Sequence, residues 1–367
     1  NNTVKVRIPA ILAETRDLNP DYPDPIKVQL TQLENRVANG DPIPMLDQYT
    51  AFDYEPWLTA LEQQKIIIDG DLTWHNVEWF FAETYVYRYL MQVVRWYETW
   101  RDPFLPKKKE ELAGDALWTL LDRALDQSGT VDEQLMTLVA FGLWGNRIDL
   151  SYAASMAHGT HTTDDDLLAD NRPVLLDYLH QTASGSKGLK GEGDVYIIAD
   201  NTGSELAMDL VLIDFLLQQV TDRVFLHVKI HPTFVSDVIP VDVWMMLDHM
   251  RSKGDAEQAL AERLYTAWVD KRLVIVTHPF WNSSYFMWDM PTTLRNQMDT
   301  ARLIIIKGDA NYRRAVGDSL WKPETPFSDV LGYLHAPVLC LRTLKSDPIV
   351  GLPSAETAAQ LDAIDPI

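Results

Sequence analysis

The strongest constraint on this chain is a change of pattern near its middle. Beyond residue 193 five short β-branched or apolar runs follow one another: DVYIIAD, RVFLHVKI, RLVIVTH, RLIIIKGD and APVLCLRTLK. Most are separated by segments of helical pattern. A strand that is apolar throughout needs cover on both faces, and strands alternating with helices need crossover connections. The pattern therefore predicts a mostly parallel, doubly wound sheet between helical layers. From about Leu30 to Leu179 apolar residues recur instead at helical spacing, as in WHNVEWFFAETYVYRYLMQVVRWYETW and ELAGDALWTLLDRALD. Between the two, QTASGSKGLKGEG has no periodicity and reads as a linker. The expected fold class is α/β: an N-terminal α-helical domain over 1–190, then a three-layer α/β/α domain over 191–367.

Composition narrows the function classes. A net charge of −21, from 53 acidic against 32 basic residues, disfavours nucleic acid and anionic membrane as partners. Phosphate can bind such a chain where a metal ion and a few basic side chains reverse the local field. No apolar stretch approaches the roughly 20 residues that span a bilayer, and NNTVKVRIPA has no signal-peptide pattern, so a cytoplasmic location is expected. The lone Cys340, inside APVLCL, excludes an internal disulfide and reads as a buried thiol. The aromatic stripe Trp79, Phe80, Tyr85, Tyr87 and Trp96 reads as helix-packing core.

Polar residues gather at the carboxyl ends of the expected strands, where open α/β sheets place their ligands. The first run ends in Asp200 and Asn201 and enters a helix near Gly203–Glu205. That pair offers two hard oxygen ligands beside a helix amino terminus, and equally suits a strand-end turn or helix cap. KIHPTFVSDVIPVD follows the second strand and supplies Lys229, Ser236 and Asp237, with Asp237 a third oxygen ligand for Mg²⁺ or Mn²⁺, or for octahedral Co²⁺ or Ni²⁺. KGDANYRRAVGD places Asp309, Asn311 and Arg313 at a helix start after Gly308, and RTLKSD brings Arg342 and Lys345. Cations there suit a transferred phosphoryl group, or an ordinary strand-end salt bridge.

Together ADNTGSE, KIHPTFVSD, KGDANYR and RTLK resemble the damage-control phosphatase family, also known as domain of unknown function 89, which includes the proposed acidic-residue methyltransferases. RTLK matches the Arg-Thr-any-Lys signature of its sugar-phosphate phosphatase branch, and FAETYVYR and LWGNRIDLS carry the resemblance into the helical half. The resemblance implies a metal-dependent phosphatase of small phosphate monoesters, such as fructose 1-phosphate or fructose 6-phosphate. It implies Asp200, Asn201 and Asp237 as metal ligands, and Asp309, Ala310, Asn311, Tyr312 and Arg313 with Lys345 as the phosphate-holding set. Asp200, Asp309 and Lys345 would carry the chemistry, with water attacking and Asp309 or Asp200 assisting; an aspartyl-phosphate route stays open. Glu83, Arg88, Asn146 and Asp149 are candidates to close the pocket, or to form a buried ion-pair network between helices.

Three rival readings remain at this stage. An S-adenosylmethionine-dependent carboxyl methyltransferase would want a glycine-rich turn after the first strand, where DNTGSE has one glycine. A noncatalytic binding protein would have no use for the full polar set. A specialised phosphate or diphosphate ester would use HPFWNSSYFMWDMP, with His278, Trp281 and Trp288, as an apolar wall; packed core is the alternative for that segment.

Overall fold

All five apolar runs form strands: β1 Val195–Ile198, β2 Val224–Val228, β3 Leu273–Thr277, β4 Leu303–Lys307 and β5 Val338–Leu341. This is a computed structural model, and it describes residues 2–47, 52–145, 167–185, 188–357 and 359. The strands make one sheet in the order β3-β2-β1-β4-β5. Pairing is parallel, with Val195 opposite both Val224 and Leu303, and Ile304 opposite Val338. The chain steps outward from β1 to β3, then returns to β4 and continues to β5. The reversal falls between β1 and β4, the switch point at which such sheets bind ligands.

Alternation along the strands shows the layers. Lys307 of β4 reaches Gly142 in the Val131–Trp144 helix and Asp209 in the Ser204–Gln219 helix. On the opposite face Cys340 of β5, partly buried, packs with Tyr312 and Val316 of the Asp309–Val316 helix. Ser204–Gln219 is buried on almost every side, from Leu206 through Leu217, which explains why apolar residues occupy all of its faces rather than one stripe.

The chain divides into two compact units. The first holds the residues up to Ala113 together with Val228–Pro240 and Thr277–Tyr285, the segments that follow β2 and β3. The second holds Gly114–His227, Val241–Val276 and the chain from Phe286 on. The division therefore falls at Ala113 rather than at residue 190. Asp115–Leu125 and Val131–Trp144 pack on Ser204–Gln219 and so belong with the sheet. Periodicity reveals that a segment is helical; it does not reveal which core its apolar face covers.

Within the first unit, Ile8–Asp17, Asp24–Asn39, Tyr54–Ile67, Trp79–Val93 and Leu105–Ala113 are the longer helices. Their core includes Leu30, Leu33, Val37, Trp57, Phe81, Tyr85 and Leu90. The aromatic stripe is core as expected: Phe80, Tyr85, Tyr87 and Trp96 are buried. Arg88 is buried among them because Asp53 receives it in two hydrogen bonds, Nε to Oδ2 at 2.7 Å and Nη2 to Oδ1 at 2.9 Å. Trp57 and Tyr97 also donate to Asp53 Oδ2, and the guanidinium lies 4.5 Å from the Tyr97 ring. A buried charge pair of this kind needs every partner it has. Among the described residues no helix is long and apolar enough to cross a membrane.

His231 lies beside this pair, its Nε2 4.0 Å from Asp53 Oδ2 and its Nδ1 3.1 Å from the Pro232 carbonyl. Burial, only partly opposed by Asp53, lowers its pKa to about 4. Between about pH 6.5 and 4 the unfolded chain thus binds a proton that the folded chain refuses, and stability falls as pH falls through that window. We expect urea unfolding at pH 4.5 relative to pH 7 to show about 2 kcal/mol less loss in His231→Gln than in the unaltered protein. Parallel losses in the two would contradict the assignment.

Candidate active site

The end of β1 carries a buried cluster of charge in the second unit. Asp200 is buried, and the neighbouring Asn201 donates from one amide nitrogen to Asp200 Oδ2 at 2.7 Å and to Glu205 Oε2 at 3.0 Å. Glu205 and Asp209 stand four residues apart on the helix that follows, both buried. Lys307, wholly buried, answers them: its Nζ is 2.6 Å from Asp209 Oδ1 and 3.4 Å from Glu205 Oε1 and donates to the Gly142 carbonyl. Burial works against this ammonium, but Asp209 and Glu205 outweigh it and raise its pKa. Lysine therefore keeps its proton, and three acids share one cation, with burial pushing the pKa of Asp209 up to about 7 against that ammonium.

The turn after β4 presses against that cluster. Gly308 has φ 81°, a backbone conformation that side chains resist, and a Cβ there would lie 1.9 Å from Asp200 Oδ2. Only glycine lets the start of the Asp309–Val316 helix come this close to the aspartate. The amides of that first turn have no intrahelical acceptor and suit an anion.

The expected phosphate-holding residues turn out to do different things. Asp309 is engaged on both oxygens, by Arg342 Nε at 2.7 Å and the Lys345 amide at 3.3 Å on Oδ1, and by Ser346 Oγ at 2.7 Å on Oδ2. Arg342 also donates to the Ser346 and Pro348 carbonyls and lies 4.1 Å from the Tyr312 ring. Asp309 and Arg342 thus latch the 342–348 loop onto the helix start, leaving the Lys345 side chain exposed. Asn311 donates to the Ala199 and Lys307 carbonyls, stitching the ends of β1 and β4 together. Arg313 is held by Asp318 in two hydrogen bonds of 2.7 and 2.9 Å. Tyr312 is buried, its hydroxyl accepting from the Val350 amide, and Ala310 is half-buried.

Asp237 belongs to the first unit, whereas Asp200 and Asn201 belong to the second. Its Oδ2 is 3.4 Å from Lys229 Nζ, and its backbone carbonyl accepts from Lys108 Nζ. Lys108 is buried against Asp102 at 2.9 Å. The loop that carries Asp237 is strained: Phe234 and Val235 have φ of 49° and 74°, and a β-branched residue in that region costs of order 1–3 kcal/mol. Glu83 and Arg88 also lie in the first unit, with Arg88 committed to Asp53. Asn146 and Asp149 lie outside the described residues. The aromatic segment divides: Trp281 is core of the first unit and His278 caps a short helix by accepting from the Phe280 amide, while Trp288 belongs to the second.

Glu205, Asp209, Lys307, Ser346 and Lys108 take part in these contacts without being marked as functional by the motifs above. A signal for the first two existed. Asn201, Glu205 and Asp209 recur every four residues, and the two acids interrupt a helix that is otherwise apolar all round. Lys108 sits in the run PKKKEEL, which reads as a solvated face, and nothing local distinguishes it from its neighbours.

A polar cluster at the switch point of a doubly wound parallel sheet, edged by a helix amino terminus, marks this as an α/β protein with a strand-end ligand site. Its family is equally definite: the chain belongs to the damage-control phosphatase ARMT1-like domain family, whose model matches residues 3–361. It is similar to damage-control phosphatase ARMT1 of Mus musculus, 32% identical over 92% of this chain and 82% of that protein. The corresponding proteins of Danio rerio and Rattus norvegicus are 31% and 30% identical over 92% of this chain, covering 81% and 82% of their own lengths. A family structure from Pyrococcus horikoshii, of the domain of unknown function 89, aligns at a TM-score of 0.44 and 15% identity over 82% of this chain and 92% of that one.

Gly308→Ala should force Asp200 aside and put a side chain at positive φ, lowering stability by about 1–3 kcal/mol. Urea midpoints compare the two proteins, and an unchanged midpoint would show that the close approach is not required.

Proposed function

We propose that the chain is a metal-dependent phosphatase of small phosphorylated metabolites, sugar phosphates such as fructose 1-phosphate or fructose 6-phosphate among them. The observation that carries this reading is the Asp200–Asn201 pair, set at the switch point beside the acids Glu205 and Asp209, which share a single buried ammonium. A divalent cation suits that surplus of negative charge. Among the described residues no group of three or more His, Cys, Asp or Glu side chains is arranged to hold a metal ion. An ion that keeps several waters and takes one or two carboxylates with an amide oxygen fits this donor set, which favours Mg²⁺ or Mn²⁺ and admits Co²⁺ or Ni²⁺.

Asp200 and Asn201 would hold the ion. Such an ion supplies Lewis-acid polarisation of a phosphate oxygen. The protein's own groups do the rest. Amides at the start of Asp309–Val316 donate to the phosphate oxygens, and Lys345, exposed on the latched 342–348 loop, supplies an ammonium as the leaving oxygen departs. Asp309 works through Arg342 and Ser346 to hold that loop, so Asp200 is the better candidate to steer an attacking water. The surplus of acid elsewhere speaks against nucleic acid as a substrate, and one cysteine in 367 residues suits the cytoplasm.

Phosphate release from a panel of sugar phosphates, after EDTA and with each metal added back, tests the reading. Restored release is expected with Mn²⁺ or Mg²⁺; silence with every metal, from folded protein, would overturn it. On an active substrate, Asp200→Asn should abolish the metal response, whereas Lys345→Ala should raise KM and lower kcat/KM by about 10²-fold or more. Normal kinetics in either variant would remove that residue from its assigned role.

A further inference from the structure

Asn201 can serve a cation only if its amide oxygen, not its amide nitrogen, faces the ion. An asparagine side chain turns over easily, and the two ends have nearly the same shape. Something must therefore choose the orientation. In this structure the nitrogen end meets two carboxylate oxygens, Asp200 Oδ2 at 2.7 Å and Glu205 Oε2 at 3.0 Å, and a carboxylate accepts only. The oxygen end would be repelled from the same place.

Asp200 alone does not settle the matter, because it is itself assigned to the ion and its charge is shared with it. Glu205 is not so shared. Its other oxygen is ion-paired with Lys307 Nζ at 3.4 Å, and that ammonium donates to Asp209 Oδ1 2.6 Å away and to the Gly142 carbonyl. Lys307 is wholly buried and Glu205 nearly so, so their arrangement is fixed by packing.

We propose that Glu205 is a positioning residue for the metal site: oriented by Lys307, it holds the Asn201 amide nitrogen inward so that the amide oxygen is presented to the cation. The inference rests on the reading that Asp200 and Asn201 ligate a divalent ion. It makes a sharp statement about the isosteric amide at position 205. In Glu205→Gln the Lys307 ammonium attracts the carbonyl end of the new side chain, which turns its NH₂ toward Asn201. Asn201 then accepts with its oxygen and offers N–H groups to the ion. Loss of such an orienting contact lowers metal affinity by about 10–100-fold.

The test is Mn²⁺ binding without substrate, read by electron paramagnetic resonance as loss of the free-ion signal, with urea unfolding as a check on the fold. Glu205→Gln should weaken binding by about 10–100-fold with an unfolding midpoint near that of the unaltered protein. In an Asn201→Asp background the ligand has two equivalent oxygens and no end to choose, and the amide introduced at position 205 donates to it. There Glu205→Gln should cost less than about threefold, and this non-additivity is what a merely structural glutamate would not produce. Should the unaltered protein bind no Mn²⁺, the metal reading and this inference fall together. If it binds Mn²⁺ and Glu205→Gln binds equally well, or loses as much affinity in the Asn201→Asp background, the inference alone is overturned.

Discussion

The second unit depends on one buried ammonium. Lys307 leaves the end of β4 pointing into the layer formed by Val131–Trp144 and Ser204–Gln219, where no water can solvate it; its hydrogen bonds go to Gly142 and Asp209, and Glu205 pairs with it at 3.4 Å. An ion in such a place costs several kcal/mol in lost hydration and persists only when all its donors are used. Using them pins the sheet to both helices. It also allows two acids to sit inside an apolar helix next to Asp200 and Asn201. The charge balance left over is negative, and it lies at the switch point of the sheet, where a ligand would meet it.

The start of the Asp309–Val316 helix is organised by a second, partly buried contact set, that of Arg342 with Asp309 and Ser346. The two sets share a logic. In each, a long cation is consumed by structure so that a neighbouring group can be held in one place: Asn201 by way of Glu205, and the loop bearing Lys345 by way of Asp309. Gly308 lies between them and lets the β4 turn touch Asp200. Several residues that look like ligands from their chemistry are therefore engaged as supports of the fold. Arg313 and Arg88 illustrate the point. Each carries the charge that a phosphate would seek, and each already has its own carboxylate, Asp318 and Asp53.

The sheet was legible from the start because a parallel strand covered on both faces has to be apolar throughout, and all five runs are strands. The strand-end location of the polar residues followed from the same rule. The aromatic stripe of Trp79–Val93 was legible as core for a similar reason, since helix packing demands it. Less legible was the boundary between units. Helices from Asp115 to Gln181 have the same periodicity as those before Ala113, and the difference lies only in what they cover. The structural assignments of Asn311 and Arg313 were likewise hidden, because an amide or a guanidinium reads the same whether its partner is a backbone carbonyl, a carboxylate or a phosphate.

By itself, then, the sequence determined the α/β class, the five strands, the chemistry gathered at their ends and the family to which the chain belongs. Those properties are written in local pattern: hydrophobic period, turn residues and contiguous motifs. Tertiary structure alone decided which charges pair with which. Lys307 finds Asp209 across 98 positions, Arg342 finds Asp309 across 33 and Arg88 finds Asp53 across 35. The physical reason is that a buried charge is stabilised by whichever group the fold brings within hydrogen-bond distance, and sequence separation places no limit on that.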